Sequence, residues 1–257
     1  MSKDIRIKKG LDINLVGEAS LTKSDAIKSN FFSIKPEDFH GLTPKLLVKK
    51  ASKVKAGEPI FYDKSNESIQ FVSPVSGEVT EITRGDKRRI LEVKIKADKI
   101  QTYFDHKKIE IKSAKRDVIK AKLLASGCWP FIMQRPYDVI ANPENTPKGI
   151  FVSAYASAPL AADYDFVLKN KNAELQAAVS ALSKLTSGNV NVSVSKDSHS
   201  PFTNLEAAPF EVESVFTMYF RCEYSGSPPI ASIVVGKLLN RCSRAPVAKT
   251  ASHCPAS

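Results

Sequence analysis

The chain has 257 residues, of which 42% are hydrophobic and 25% charged, a composition typical of a folded globular protein with about two domains. No apolar run reaches the roughly 18 to 20 residues that a membrane-spanning helix requires. The first ten residues also lack the apolar core of a signal peptide. We therefore expect a cytoplasmic protein rather than an integral membrane or secreted one.

The formal net charge is +11, and residues 1–122 hold 27 Lys and Arg against 17 Asp and Glu. Lysines alternate with apolar residues in Ile5–Lys8, Leu91–Lys96 and Ile109–Lys112, which predicts the solvent faces of half-buried strands. This interpretation is favoured over a nucleic-acid interface, which stays an alternative and would predict salt-sensitive DNA binding. A basic face also suits an anionic bilayer or an acidic partner.

Short apolar segments separated by turn residues fill the first hundred residues, at a spacing of about ten residues. This pattern predicts a small, mostly β module over residues 1–104, and the resemblance of its segments Val54–Pro59, Asp63–Lys64 and Ser73–Gly77 to lipoyl domains implies a barrel-sandwich (lipoyl-like) fold. The predicted strands are Leu11–Leu15, Leu46–Val48, Pro59–Tyr62, Ile69–Val72, Val79–Thr83 and Ile90–Ile95.

A hairpin in this module places Asp63 and Lys64 between two apolar segments, followed by the turn Ser73–Gly77. Lipoyl and biotinyl carrier domains present a modified lysine on such a hairpin. Here the stretch from Lys64 to Ser73 is about two residues longer than in the carrier pattern, a change expected to alter the turn and the position of its apex. We predict an unmodified surface lysine on an inert scaffold; a soluble carrier domain modified on Lys64 is the alternative.

The pattern changes to α/β over residues 105–204. A helix is predicted from Ala114 to Ser126, with Val118, Ala121 and Ala125 and the pair Ile119 and Leu123 at helical spacing, and Gly127 ends it. A strand at Ile150–Ala154, a helix at Ala173–Leu185 and a strand at Asn189–Ser195 then form a βαβ unit. We expect a Rossmann-like α/β domain, although no GxGxxG motif marks a dinucleotide site.

Between the first helix and this unit lies the proline-rich segment 128–150, which predicts an ordered loop. Its aromatic residues could line an apolar cleft for a quinone ring, with an amide or guanidinium donor to a quinone carbonyl. We favour the interpretation that the aromatic residues are buried anchors of the loop. The candidates for quinone contact are Trp129, Phe131, Gln134, Arg135 and Tyr137.

Other reactive residue types are sparse or scattered. The four cysteines form no CxxC pair and the four histidines are dispersed, so no zinc or iron–sulfur site is predicted. Cys128, just beyond a predicted helix end, is expected to be a buried small hydrophobic residue. Asp163 and Asp165 are expected to cap a helix or face solvent rather than bind a cation. His40 and His199 lie beside serines or glycine, but without a GxSxG elbow hydrolysis is a weak interpretation.

Three stretches carry a resemblance to a known family: IRIKKGLDINLVGEA near the start, KAGEPIFYDKSNESIQFVSPVSGEVTEITRGDKRRIL around the hairpin, and CWPFIMQRPYDVIANPENTPKGIFVSAYASAPLAAD after the first helix. Over roughly residues 3–204 the chain resembles the A subunit of the Na⁺-translocating NADH:quinone reductase, and more distantly the C subunit of the Rnf complex.

The resemblance implies a peripheral subunit, on the cytoplasmic face of the bacterial inner membrane, of a six-subunit complex. That complex passes electrons from NADH to ubiquinone and exports Na⁺. The expected partners are the other subunits and ubiquinone, with no nucleic acid. FAD, FMN and the iron–sulfur centre are expected on the partner subunits, with no cofactor, metal or catalytic site on this chain.

The resemblance stops after Asn204, and residues 205–257 match no part of the family. Three of the four cysteines fall in this tail, which has no clear periodicity. We leave residues 205–257 unassigned to a fold. A shifted reading frame or a disordered segment would explain their composition, and translating the other frames of the source gene tests the first of these hypotheses.

Overall fold

The computed structural model describes residues 16–17, 20–23, 29–155, 161–195, 201–205, 208–212 and 230–234. The predicted strand Leu11–Leu15, the alternating segment Ile5–Lys8 and His199 lie outside the described residues.

The first domain is a β module, as predicted. Four predicted strands are found with slightly different bounds, and the segment predicted at Leu46–Val48 forms a strand two residues earlier, starting at Pro44. The strands are β1 (Phe31–Ile34), β2 (Pro44–Leu46), β3 (Lys53–Val54), β4 (Pro59–Asp63), β5 (Asn66–Val72), β6 (Gly77–Arg84) and β7 (Ile90–Ala97).

These strands form two antiparallel sheets, ordered β1-β7-β6-β3 and β2-β4-β5. Alternating side chains point inward from both sheets, because successive residues of a strand face opposite sides. The inward set is fully apolar at its centre, and the lysines of β7 lie outside it. The most deeply buried members are Ile60, Phe61, Val79, Val93 and Ile95.

Residues 105–115 connect the two domains, and here one prediction is wrong. Ile109–Lys112 keeps the expected alternation, with Ile109 and Ile111 packed against the core, but the segment forms no strand. The carbonyl oxygens of Ile111, Lys112 and Ala114 instead accept hydrogen bonds from Lys184 Nζ at 2.6, 2.7 and 2.9 Å. A side chain from a distant helix therefore takes the place of a neighbouring strand.

The second domain is α/β, as predicted. Its elements are α1 (Arg116–Ala125), β8 (Ile132–Arg135), β9 (Val139–Ile140), β10 (Ile150–Ser153), α2 (Tyr164–Val167), α3 (Asn172–Ser183), β11 (Val190–Ser195), β12 (Ala208–Val212) and β13 (Ile230–Val234).

The described strands form a sheet in the order β12-β11-β10-β13-β8-β9. Strands β10 and β11 are parallel neighbours, which confirms the predicted βαβ pairing. Two strands come from the segment after Asn204 that the sequence left unassigned: β12 pairs with β11 and β13 lies between β10 and β8. The proline-rich segment also contributes the short strands β8 and β9, where a loop was predicted.

Helix α1 packs on the β module, where it contacts β5. Ile119 and Leu124 are buried, whereas Val118 is 47% exposed. The helix ends as predicted at Gly127, whose φ is +69°. Cys128 N–H donates to Leu123 O at 3.0 Å, the long bond of a Schellman ending.

Candidate functional site

The β4–β5 hairpin presents Lys64 at its tip. Asp63 pairs with Asn66, so Lys64 and Ser65 form a two-residue turn. The buried Asp63 carboxylate accepts from Ser65 N–H at 3.1 Å and from Ser65 Oγ at 2.6 Å, a local arrangement that fixes the turn. The Lys64 side chain is exposed.

The extra length of this hairpin lies in β5 and not in the turn. Tyr62 pairs with Gln70 while the next residue, Asp63, pairs with Asn66. Residues 67–69 therefore bulge out of the ladder just after the turn. The expectation that added length moves the lysine away from the apex is wrong, because a bulge absorbs the insertion.

The hairpin tip is nevertheless tied to the rest of the module. Lys64 N–H donates to Thr43 O at 2.8 Å, just before β2. The tip therefore lies along a third strand rather than projecting alone. An enzyme that modified Lys64 would meet β2 as well as the two hairpin strands.

The turn after β5 is held by buried serines. Ser73 Oγ donates to Val75 O at 2.6 Å. Ser76 Oγ accepts from Thr102 N–H at 2.9 Å, and Ser76 N–H donates to Gln101 Oε1 at 2.7 Å. Buried polar groups paired in this way stabilise the fold. They also fix this turn against residues 101 and 102, just before the connection between the domains.

In the proline-rich segment, Trp129 is a buried anchor, as favoured from the sequence. Its indole Nε1–H donates to Ala141 O at 2.7 Å, and the residue is 4% exposed. Trp129 and Gln134 border a void of about 20 Å³, room for roughly one water molecule. A quinone ring does not fit there.

Phe131 points the other way, into a cleft between the two domains of about 270 Å³. Its ring centroid lies 6.3 Å from that of Phe39, which in turn packs edge-on against Phe71 at 4.6 Å. Apolar residues of β1, of the end of β5 with its following turn, and of the segment after α1 also line the cleft: Ile34, Val72, Pro74 and Pro130. The charged residues Lys35 and Asp38 and several small polar residues line it as well.

The other two candidate residues lie away from this cleft. Arg135 Nη1 pairs with Asp138 Oδ1 at 3.8 Å, and Tyr137 is 70% exposed. Tyr137 is thus not a buried anchor, contrary to the favoured interpretation, because it lies in the tight connection between β8 and β9. The five sequence candidates do not converge on one site.

Sequence reasoning missed most of the cleft. Phe39 and Phe71 come from the β module; Phe71 lies in the predicted strand Ile69–Val72, whereas no predicted element contained Phe39. Cys128, predicted to be buried, is exposed and borders the cleft, since the Schellman ending turns the chain outward after Gly127.

Charged side chains outside the hairpin and the cleft have local roles. Asp163 caps α2, with Oδ1 accepting from Phe166 N–H at 3.1 Å, which confirms the capping interpretation. A hydrogen bond to Tyr62 raises the pKa of Lys45 above its usual value. Within the described ranges, no three His, Cys, Asp or Glu residues cluster as metal ligands, and no helix is long and apolar enough to cross a bilayer.

Together these features define a class of protein: a barrel-sandwich hybrid domain joined to a second α/β domain. Residues 5–98 match the NqrA N-terminal barrel-sandwich hybrid domain and residues 114–216 match the NqrA second alpha/beta domain. The chain therefore belongs to the NqrA family through these two consecutive domains. The second match continues past Asn204 and includes β12.

Curated relatives agree with this assignment. The chain is 35% identical over 214 residues to the A subunit of the Na(+)-translocating NADH-quinone reductase of Tolumonas auensis, covering 80% of this chain and 47% of the relative. It is 33% identical over 187 residues to the same subunit of a Marinomonas species, covering 72% and 42%. The chain thus spans less than half the length of the curated relatives it matches.

Proposed function

We propose that this chain acts as a peripheral part of the A subunit in a six-subunit Na⁺-translocating NADH:ubiquinone reductase, on the cytoplasmic face of the bacterial inner membrane. One observation carries the proposal: two different domains match the same family in the same order. A chance match to a common scaffold would not repeat in a second, unrelated fold.

A pull-down tests this proposal. The tagged full chain, expressed in its native host, should recover the other five subunits from detergent-solubilised membranes. A matched control carries Val93→Asp, which buries an unpaired charge in the β module and should abolish recovery along with folding. Recovery of no other subunit by the folded wild-type chain would contradict the proposal.

In this role the chain is a scaffold, and the flavins and iron–sulfur centre reside on partner subunits. The polar groups at the hairpin and the domain connection support this, because Ser76, Asp63 and Lys184 are all used in hydrogen bonds that hold the fold. The purified chain should show no flavin absorbance and no stoichiometric iron. A bound flavin or cluster would overturn the scaffold role.

Quinone contact is proposed at the Phe131 side of the proline-rich segment rather than at Trp129. The cleft walled by Phe39, Phe71 and Phe131 has the volume and the flat apolar surfaces that a ring requires, whereas the void beside Trp129 does not. A photoreactive quinone analogue should label peptides that border the cleft. Phe131→Ala should reduce labelling several-fold while Val118→Ala, on an exposed helix face, leaves it unchanged.

The carrier alternative has one observation in its favour, the exposed Lys64 at the tip of a two-residue turn. A lipoyl or biotinyl group would increase the intact mass of protein purified from its native host, and Lys64→Arg would remove the increase. We expect the unmodified mass, because the bulge in β5 and the contact with Thr43 change the surface that a modifying enzyme would recognise.

A further inference from the structure

The segment that contains β2 and β3 carries only positive charge. Residues 39–57 contain five lysines and no aspartate or glutamate. The rest of the first half of the chain mixes both signs. Five of the ten surplus positive charges of residues 1–122 therefore lie in this one segment.

These lysine side chains are exposed on both sides of a turn at residues 49–52. From Pro44 to Lys49 exposure alternates: Leu46 and Val48 pack against the core, and the residues between them face solvent. The pattern repeats around the buried Val54. We name the outward set the lysine edge; it consists of Lys45, Leu47, Lys49, Lys50, Lys53 and Lys55.

The lysine edge is held by backbone hydrogen bonds rather than being a loose loop. Leu47 N–H donates to Ile60 O at 2.9 Å and Ala51 N–H donates to Val79 O at 2.7 Å. Lys49 N–H donates to Ser52 Oγ at 3.1 Å. A preformed surface loses little conformational entropy when a partner binds.

The charge of the lysine edge is largely uncompensated. Among the described residues, the side chains of Lys49, Lys50 and Lys55 take part in no ion pair. The Lys45 ammonium lies 5.3 Å from the centre of the Tyr62 ring, and Lys53 lies opposite Glu78 in the ladder. The two lysines with the least local compensation, Lys49 and Lys50, lie two and three residues after Leu47.

Leu47 distinguishes between possible anionic partners. It is 53% exposed between Lys45 and Lys49, where a nucleic-acid backbone would offer it no apolar contact. The boundary of an anionic bilayer accepts both a leucine and the flanking lysines, whose charges meet lipid phosphates. We propose that the lysine edge docks this chain on the surface of a bilayer containing anionic lipids.

This inference goes beyond the subunit role, because the purified chain and lipid alone test it. The full chain is mixed with phosphatidylcholine vesicles that contain or lack phosphatidylglycerol, and bound protein is measured by flotation. Binding should require phosphatidylglycerol. Lys49→Glu with Lys50→Glu should lower the partition coefficient by about tenfold or more at low salt, and raising the salt to about 0.5 M should weaken wild-type binding.

A matched control changes the same charge elsewhere. Lys107→Glu with Lys108→Glu, an adjacent exposed pair in the connection between the domains, should retain most of the binding. Leu47→Ser should weaken binding several-fold at both low and high salt, because its contribution is apolar.

Three results would overturn the proposal. Equal loss in the two lysine pairs would show that net charge, and not this edge, attracts the vesicles. Equal binding to vesicles without phosphatidylglycerol would exclude headgroup charge. Tighter binding to a short random DNA duplex than to anionic vesicles, with Leu47→Ser as strong as wild type, would make the edge a nucleic-acid surface. Recovery of partner subunits in the pull-down is a separate measurement, so either proposal can fail alone.

Discussion

One polar contact in the β module and one in the α/β domain join residues at very different separations in the sequence. In the β module, Asp63 fixes its hairpin through Ser65, two residues away. In the α/β domain, Lys184 Nζ donates hydrogen bonds to the carbonyl oxygens of Ile111 and Ala114, 73 and 70 residues away. The hairpin contact forms within one turn, whereas the Lys184 contact requires distant segments to meet before these carbonyl groups are satisfied.

The largest expected effect tests the core that the local turns of the β module enclose. Phe61 is fully buried and stacks on Phe71 with ring centroids 4.7 Å apart. Phe61→Ala should lower the free energy of unfolding by about 3–5 kcal/mol, because it removes apolar contacts and leaves a cavity. Urea denaturation followed by far-UV circular dichroism measures the loss.

The single tryptophan separates the responses of the two domains. Trp129 lies in the second domain, so its fluorescence follows that domain. Phe61→Ala should shift the circular dichroism midpoint more than the fluorescence midpoint. Val118→Ala, at an exposed position, should shift neither by more than about 0.5 kcal/mol. Equal shifts in both signals for Phe61→Ala would show that the domains unfold as one unit.

The next effect tests the long-range contact. Lys184→Met keeps the aliphatic stem but removes the three hydrogen bonds to Ile111, Lys112 and Ala114. We expect a loss of about 2–3 kcal/mol, since carbonyl oxygens lose a charged donor. The fluorescence midpoint of Trp129 should report most of it.

Lys169→Met is the matched control, because Lys169 is exposed and its side chain has no hydrogen bond within the described part of the chain. It should leave both midpoints unchanged within about 0.5 kcal/mol. A Lys184→Met variant as stable as Lys169→Met would mean that solvent replaces the lysine without cost. The long-range hydrogen bonds of Lys184 would then contribute nothing measurable to the free energy of unfolding.

A third substitution probes the border where the two domains touch. Gly127 has φ +69°, and a Cβ there would come within 2.7 Å of Val72 Cγ2 in β5. Gly127→Ala should therefore cost about 1–2 kcal/mol through backbone strain and overlap. Val72→Ala combined with Gly127→Ala should recover part of the loss relative to the sum of the single variants. Strict additivity would show that the overlap has no part in the cost.

How well each strand could be predicted from the sequence also depends on whether its signal is local or lies in a remote partner. Alternation and turn residues predicted β4, β6 and β7 nearly to their ends, because each strand records in its own sequence which side is buried. The same signal misled at Ile109–Lys112, where alternation is real but a lysine takes the place of the pairing strand. Strands β12 and β13 were missed because parallel pairing with β11 and β10 depends on partners remote in sequence.

The candidate site was predictable only one residue at a time. The sequence indicated that Trp129 anchors its loop, since a large aromatic residue among prolines is usually buried. It could not indicate that Phe131 turns from Trp129 toward Phe39 and Phe71, because the cleft exists only where two domains meet. For Lys64, counting residues detected the insertion but could not assign it to a bulge rather than to the turn.

The smallest expected effect comes from a contact in the α/β domain between residues that are close in sequence. Glu174 lies in the first turn of α3. A hydrogen bond from its own backbone N–H, and a second from Lys171 Nζ at 3.2 Å, lower its pKa below the usual 4.5. A lowered pKa in the folded state stabilises the protein above pH 4.5 and loses that contribution as the pH falls through the folded-state value.

Glu174→Gln should therefore lower the Tm at pH 7 by about 1 °C or less, because the contact is fully exposed and screened by solvent. The difference from wild type should shrink as the pH falls through the lowered folded-state pKa of the wild-type carboxyl, and also at about 1 M salt. Thermal melts in matched buffers measure it. A difference that persists at low pH would assign the effect to helix propensity and not to charge, and a difference as large as that of Lys184→Met would remove the distinction between local and long-range contacts in this domain.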